Sequence, residues 1–153
     1  MMTDQQVEQR VQDFISACRR EGIKATHQRV EILRELAAGE DHPDAETLYE
    51  SVRRRMPTIS LDTVYRTLRL LEEKRVISRV GSLQNKARFD ANLEQHHHFV
   101  CVECGRVQDF YSEAFDQLIV PFYDSDMGYV DSVYVELRGL CRACRDKARK
   151  NPN

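Results

Sequence analysis

The chain lacks anything that would send it to or across a membrane. Met1 to Arg20 holds no apolar block of signal-peptide type, and no stretch approaches the roughly 18 uncharged residues a membrane span needs. A cytoplasmic, soluble protein is expected. Charge of one sign is also lacking: the net charge is −2, divided as +1 over residues 1–90 and −3 over 91–153. Bulk electrostatics therefore announce no polyanionic partner, and any nucleic-acid contact must come from a local cationic face. Internal repeats are absent. A disulfide framework is excluded as well, because a reducing compartment keeps thiols free unless they bind metal or do redox chemistry, and the chain has five cysteines.

With 153 residues, 41% of them hydrophobic, there is room for two compact units. Thr3 to Gln6 reads as a capping box ahead of Val7, Val11, Phe14, Ile15 and Cys18 at helical spacing, with Gly22 as the stop. Thr26 caps a second helix that turns Val30, Leu33, Leu36 and Ala37 inward and ends at Gly39. Pro43 suits the first turn of a third, ended by Pro57; Asp44 and Glu46 complement its dipole, and Leu48 and Val52 face inward. Ser60 caps a fourth, with Val64, Leu68 and Leu71 inward, running to about Lys74. Strand-like runs Val76–Val80 and Ala87–Phe89 then flank a turn around Gly81-Ser82 and Asn85.

Helix, turn, helix, hairpin is winged-helix order. The fold class is thus α+β, with a winged-helix DNA-binding domain and hinge over 1–90 and a small α/β domain over 91–153. In the latter, His98–Val102, Arg106–Tyr111 and Tyr129–Arg138 read as strands and Ser112 to about Tyr123 as a helix bent near Pro121. A basic tail from Lys147 is expected to fray.

Cys101-Val-Glu-Cys104 and Cys141-Arg-Ala-Cys144 each have the spacing that lets one knuckle turn place two sulfurs on a single ion, so a structural tetrahedral zinc is expected. The 36 residues between the pairs hold the helix and strand just described. A domain this small gains folding free energy from such a staple. Cys18, on the apolar stripe of the first helix, reads as a core thiol.

His96, His97 and His98 precede the first knuckle. On a strand, His96 and His98 share one face and His97 the other. Asp90 and Asp109 put hard oxygen donors within reach, and His42 is a third well-placed imidazole. Three nitrogens and two carboxylates suit Fe(II), Mn(II) or, with rearrangement, Zn(II). The alternative is surface histidines, with Asp90 and Asp109 hydrogen-bonded to backbone. His97 and His27 read as non-ligands.

Gly22-Ile23-Lys24-Ala25-Thr26 with Gln28-Arg29, His42-Pro43, Thr63-Val64-Tyr65-Arg66-Thr67-Leu68, the histidine run and both cysteine pairs together resemble the ferric uptake regulator (Fur) superfamily in order and spacing over nearly the whole chain. The resemblance implies a homodimeric, metal-activated repressor with a structural four-cysteine zinc and a regulatory metal at the domain junction. Within the superfamily, the peroxide-responsive repressors are similar in having His, Asp, His, His and Asp at the regulatory site. Those positions match His42, Asp90, His96, His98 and Asp109, whereas iron-uptake regulators usually place Glu where Asp109 stands. The resemblance further implies Fe(II)-dependent oxidation of a ligand histidine, His42 or His96, with Mn(II) supporting repression without that chemistry. Position 27, often Pro in such proteins, is His here, and Arg66 resembles the iron-uptake branch as much as the peroxide branch.

On the fourth helix Tyr65, Arg66 and Arg69 project opposite Val64, Leu68 and Leu71, suited to base edges in a major groove. Arg79, Lys86 and Arg88 on the wing would hold phosphates and set register. Arg53, Arg54 and Arg55 either complement a helix C-terminus or touch phosphate. A C2 dimer would present two such helices to a pseudo-palindromic operator. An iron-responsive repressor of metal-uptake genes is the nearest alternative. A metallohydrolase would use the same ligands with an open position, but no general acid or base stands beyond them and the winged helix would go unexplained.

Overall fold

Thr3 opens the first helix with a reciprocal cap. Its hydroxyl accepts the Gln6 backbone N–H, and the Gln6 side-chain oxygen accepts the Thr3 N–H at 2.8 Å. The computed structural model describes residues 3–39, 42–80, 87–118, 128 and 133–150. The chain divides into two units, Met1–Leu93 and Glu94–Asn153.

The first unit carries α1 (Asp4–Arg20), α2 (His27–Ala38), α3 (Ala45–Arg53) and α4 (Leu61–Glu73), followed by the antiparallel pair β1 (Ser78–Val80) and β2 (Arg88–Asp90). This is winged-helix order. Oxygens of Thr26, Asp44 and Ser60 accept N–H groups of Arg29, Thr47 and Thr63, so each of α2, α3 and α4 begins on a side-chain cap. Pro43 stands outside α3 rather than in its first turn. Asp44 takes the cap because its carboxylate accepts the Thr47 N–H at 2.8 Å. Gly22, at φ 71°, turns the chain so that Ile23 N–H reaches Cys18 O at 2.8 Å, closing α1 as a Schellman motif. The same closure ends α4, where Val76 N–H reaches Leu71 O at 2.8 Å, but there Arg75 holds φ 56°. That conformation costs a side-chain-bearing residue about 1–2 kcal/mol.

The core of this unit gathers Val11, Phe14 and Cys18 of α1, Ile32, Leu33 and Leu36 of α2, Leu48 and Val52 of α3, and Val64, Leu68 and Leu71 of α4 under Val76, Ile77 and Phe89. Each fully buried aliphatic side chain contributes roughly 1.5–3 kcal/mol. On α2 the buried set includes Ile32, while Val30 is only half-buried at the edge. Cys18 is 1% exposed and burial pushes its thiol up, so it is a core side chain. Arg55 is anchored to α2 through Glu31 at 2.9 Å and Glu35 at 2.5 Å, and Arg53 lies over the Tyr49 ring and beside Glu50. These two arginines therefore have partners within their own unit.

The second unit carries β3 (His97–Cys101), β4 (Val107–Phe110), α5 (Glu113–Asp116), β5 (Glu136–Gly139) and α6 (Arg142–Lys150). The sheet order is β4-β3-β5, with β4 antiparallel and β5 parallel to the central strand. Several expected bounds move. The helix from Ser112 is a single turn ending at Asp116, since Gln117 N–H and Leu118 N–H close it onto Glu113 O and Phe115 O. The bend near Pro121 lies outside the described residues, as do the hairpin turn at 81–86 and residues 129–132 of the expected last strand. Of the tail expected to fray from Lys147, residues 147–150 belong to α6, built from the helix formers Arg, Ala and Lys, and residues 151–153 lie outside the described residues. No residue of α6 is buried, so it has no apolar stripe from which periodicity could reveal it.

Candidate metal centres and nucleic-acid interface

Cys101 ends β3, and Gly105, at φ 70°, turns the knuckle that follows: Gly105 N–H bonds Cys101 O at 2.9 Å. The parallel register of β5 sets Gly139 beside Cys101, which brings Cys141 to the same end of the sheet just ahead of α6. Cys144 follows in the first turn of α6. The four sulfurs lie within 4.8 Å of one another, Cys104 and Cys141 at 3.8 Å. A tetrahedron of thiolates at the zinc–sulfur bond length of about 2.3 Å needs sulfur separations near 3.8 Å. The set fits one zinc ion.

The electrostatics agree with that fit. Backbone N–H groups of Cys104 and Cys141, the latter 3.3 Å from Cys101 Sγ, bring the Cys101 thiol down to about 6. Hydrogen bonding to the Cys141 side chain, with burial and the charge of Cys101, pushes Cys144 up to about 12. Crowded sulfurs resist losing the last proton, and a divalent cation removes that resistance.

The histidine run behaves as strand alternation requires. His96 and His98 bring their Nε2 atoms to 2.9 Å, while the fully buried His97 turns to the other face. Asp109 is the antiparallel partner of His98 across β3 and β4, so its Oδ1 sits 3.6 Å from Nε2 of both rings. His96 Nδ1 lies 2.7 Å from the Glu94 carbonyl oxygen, an orienting group with no sequence signal. His97 Nδ1 accepts Val135 N–H at 3.1 Å, leaving Nε2 to donate to Asp116 Oδ1 at 2.9 Å, and Phe110 and Phe115 flank the ring. It is a structural side chain here.

In the first unit the buried His42 and Asp90 form a second pair, with Nε2 to Oδ2 at 3.6 Å. Asp90 ends β2 and accepts Asn92 N–H at 2.8 Å. Two bonds tie the His42 segment to that strand: Phe89 N–H to Pro43 O at 3.0 Å, and Arg88 Nη1 to His42 O at 3.2 Å. Arg88, expected to grip phosphate, thus serves the backbone of a candidate ligand. Both groups, His42 with Asp90 and His96 with His98 and Asp109, offer nitrogen and carboxylate donors that a divalent transition metal takes.

Tyr65, Arg66 and Arg69 are exposed on α4, opposite the buried Val64, Thr67, Leu68 and Leu71. Each of three expected DNA-facing side chains has a carboxylate partner. Tyr65 Oη donates to Glu46 at 2.8 Å, which raises its phenol above the usual range; Arg66 Nε meets Asp62 at 2.9 Å; Arg79 grips Glu72 through Nε and Nη2 at 2.8 and 2.9 Å. A cavity of about 410 Å³ between α4 and the strand pair is lined by Glu46, Asp62, Tyr65, Arg66, Arg69 and Arg79, among others. Lys86 lies outside the described residues.

Helices on a strand pair, a four-thiol cluster and histidine–aspartate donors together define a metal-responsive transcriptional regulator. The family model for the ferric uptake regulator family matches residues 20–133, and the chain belongs to that family. It is 31% identical over 144 residues to the peroxide-responsive repressor PerR of Staphylococcus aureus, covering 92% of this chain and 95% of that protein. A Francisella tularensis ferric uptake regulator structure with iron is 27% identical, covering 81% of this chain and 96% of that one with a TM-score of 0.65. The Helicobacter pylori ferric uptake regulator shares the fold, with a TM-score of 0.69 at 22% identity over 95% of this chain and 97% of that one. Among the described residues no helix is long and apolar enough to cross a membrane.

Proposed function

We propose that this chain is a peroxide-sensing, metal-dependent repressor. In this reading Cys101, Cys104, Cys141 and Cys144 hold a structural zinc, while His42, Asp90, His96, His98 and Asp109 hold one regulatory Fe(II) or Mn(II). The observation that carries the peroxide assignment is Asp109. Its short carboxylate, fixed opposite His98, stands 3.6 Å from both imidazoles of its group. Similarity to a staphylococcal PerR supports the same branch.

His42 and Asp90 belong to the DNA-binding unit, 1–90 with its hinge, and the other three ligands to a dimerisation unit, 91–153. One ion shared by both sets would select the DNA-competent arrangement, and its loss would release the operator by population shift. Iron, when bound, supplies the reduction of peroxide that ends in oxidation of His42 or His96. Manganese supports repression without it. A homodimer is supported by β5, an edge strand of the described sheet, with Leu137 exposed on it and Leu140 exposed just after its end. Two-fold symmetry then presents two α4 helices to a pseudo-palindromic operator in the cytoplasm.

An iron-responsive repressor is the second reading, favoured by the similarity to an iron-bound regulator. Metal analysis with DNA binding before and after peroxide, on Fe(II)- and Mn(II)-loaded protein, separates the two. Peroxide releases DNA from the Fe(II) form alone if the sensor reading holds. Release that follows iron withdrawal and ignores peroxide supports the iron reading.

A further inference from the structure

The reading face of the first unit is lined with acid where phosphate affinity alone would favour base. Glu46 holds the Tyr65 hydroxyl, Asp62 holds Arg66 Nε, and Glu72 takes both Nε and Nη2 of Arg79. Glu46 and Asp62 line the same cavity as the three side chains they and Glu72 engage. We infer that Glu46, Asp62 and Glu72 are specificity determinants, carboxylates that restrain the DNA-facing side chains against indiscriminate capture of phosphate. This assignment rests on the DNA-binding reading above and adds which residues set its selectivity.

Asp62 occupies Nε of Arg66 and leaves the terminal nitrogens, the pair that can meet O6 and N7 of guanine. Base reading therefore keeps the ion pair and gains from an arginine already oriented. A clamp on phosphate by the same nitrogens brings an anion up to the Asp62 carboxylate, so like-charge repulsion offsets part of the gain. Tyr65 obeys the same logic, since its ring can touch a thymine methyl while its hydroxyl stays on Glu46. Arg79, with Nε and Nη2 on Glu72, meets phosphate only through its terminal edge and with a carboxylate charge already beside it, which weakens that grip. Non-specific binding is supplied almost wholly by phosphate contacts, so the cost falls mainly on the wrong sequences. Exposed ion pairs of this kind are each worth up to about fivefold in an equilibrium constant.

The test uses the full-length, Mn(II)-loaded protein with two probes: a duplex that wild type enriches from a randomised pool, and a shuffled duplex of the same composition. Asp62→Asn, Glu46→Gln and Glu72→Gln are compared singly and together. Glu8→Gln, which removes a carboxylate from the Arg34 pair on α1 and α2, controls for net charge. Circular dichroism and melting temperature establish that each variant is folded. We expect each of the three variants to bind the shuffled duplex about threefold tighter, with on the order of a tenfold fall in the selected-to-shuffled ratio for the triple variant. Glu8→Gln should leave that ratio unchanged. The assignment is overturned if the ratio holds in the triple variant, or if Glu8→Gln lowers it equally. Should wild type enrich no sequence at all, the DNA-binding reading falls and this assignment with it; an enriched sequence with an unchanged ratio sinks only the latter.

Discussion

His96 Nδ1 meets the Glu94 carbonyl oxygen at 2.7 Å, and because a carbonyl can only accept, that bond fixes the proton on Nδ1. A neutral ring then carries its lone pair on Nε2, the atom 3.6 Å from Asp109 and 2.9 Å from His98 Nε2. A hydrogen bond of this kind orients a ligand and raises its basicity. The orienting group is main chain, so no single side-chain replacement at Glu94 removes it.

The same geometry makes Asp109→Glu the sharpest test of sensing. The longer side chain keeps the ligand charge but reaches further, so it can bind through two oxygens or crowd a position that peroxide needs. The Fe(II)-loaded variant should still bind DNA, yet release it far more slowly on exposure to peroxide, with less oxygen added to the peptides carrying His42 and His96. Mass spectrometry after brief treatment reads this directly. A wild type that gains no oxygen on either peptide removes the peroxide assignment.

Replacing Cys101 or Cys141 by Ser should remove zinc and the dimer together. Three thiolates cannot hold the staple that joins the end of β3 to the start of α6, and folding of a small unit is coupled to its metal. Metal analysis and sedimentation check the outcome; a stable dimer without zinc would refute it.

Arg66→Ala and Lys86→Ala should differ in kind. Loss of a bidentate base contact costs roughly 1–3 kcal/mol at the selected sequence and little elsewhere. Loss of a phosphate contact weakens all sequences about equally and lowers the salt slope by about one. Titrations on selected and random duplexes at several salt concentrations separate them. Equal losses on both duplexes for Arg66→Ala would take α4 out of its proposed role.

Ser60→Ala removes the cap of α4, where Ser60 Oγ accepts Thr63 N–H at 3.1 Å. The expected loss is about 1 kcal/mol of stability, seen as a lower melting temperature. Zinc content should not change, because the cysteine cluster lies wholly in the second unit.

The first four helices were legible because they announce themselves twice, through caps at Thr3, Thr26 and Ser60 and through apolar spacing. Asp44 shows the limit of that reading: the proline before it draws the expected helix start two residues early, although the aspartate is the cap. The cysteine pairs and the shared face of His96 and His98 followed from spacing and strand period. What escaped was whatever depends on main chain or on distant acid. Glu94 O, Asn92 N–H and Arg88 against His42 O carry no residue-type signature. The acidic partners of Tyr65 and Arg79 lie 19 and 7 residues away in sequence, and only the fold brings them together. Charge on a wing suggests a phosphate contact for Arg88, whereas its bond to the His42 carbonyl, 46 residues away in sequence, arises only from the fold.

His97 contributes no donor to the proposed metal site, yet it sits between two residues that do. Pinned by Val135 N–H and Asp116 and walled by Phe110 and Phe115, its ring cannot exchange places with its neighbours without emptying that pocket. Strand pairing tolerates a slip of one residue only by inverting every side chain. Here such a slip would offer the metal side a lone imidazole from His97 and bury two others among aromatic rings. The middle histidine therefore acts as a keying pin: three consecutive residues of one type, otherwise the easiest place for a strand to lose count, are made unambiguous by the one that faces away.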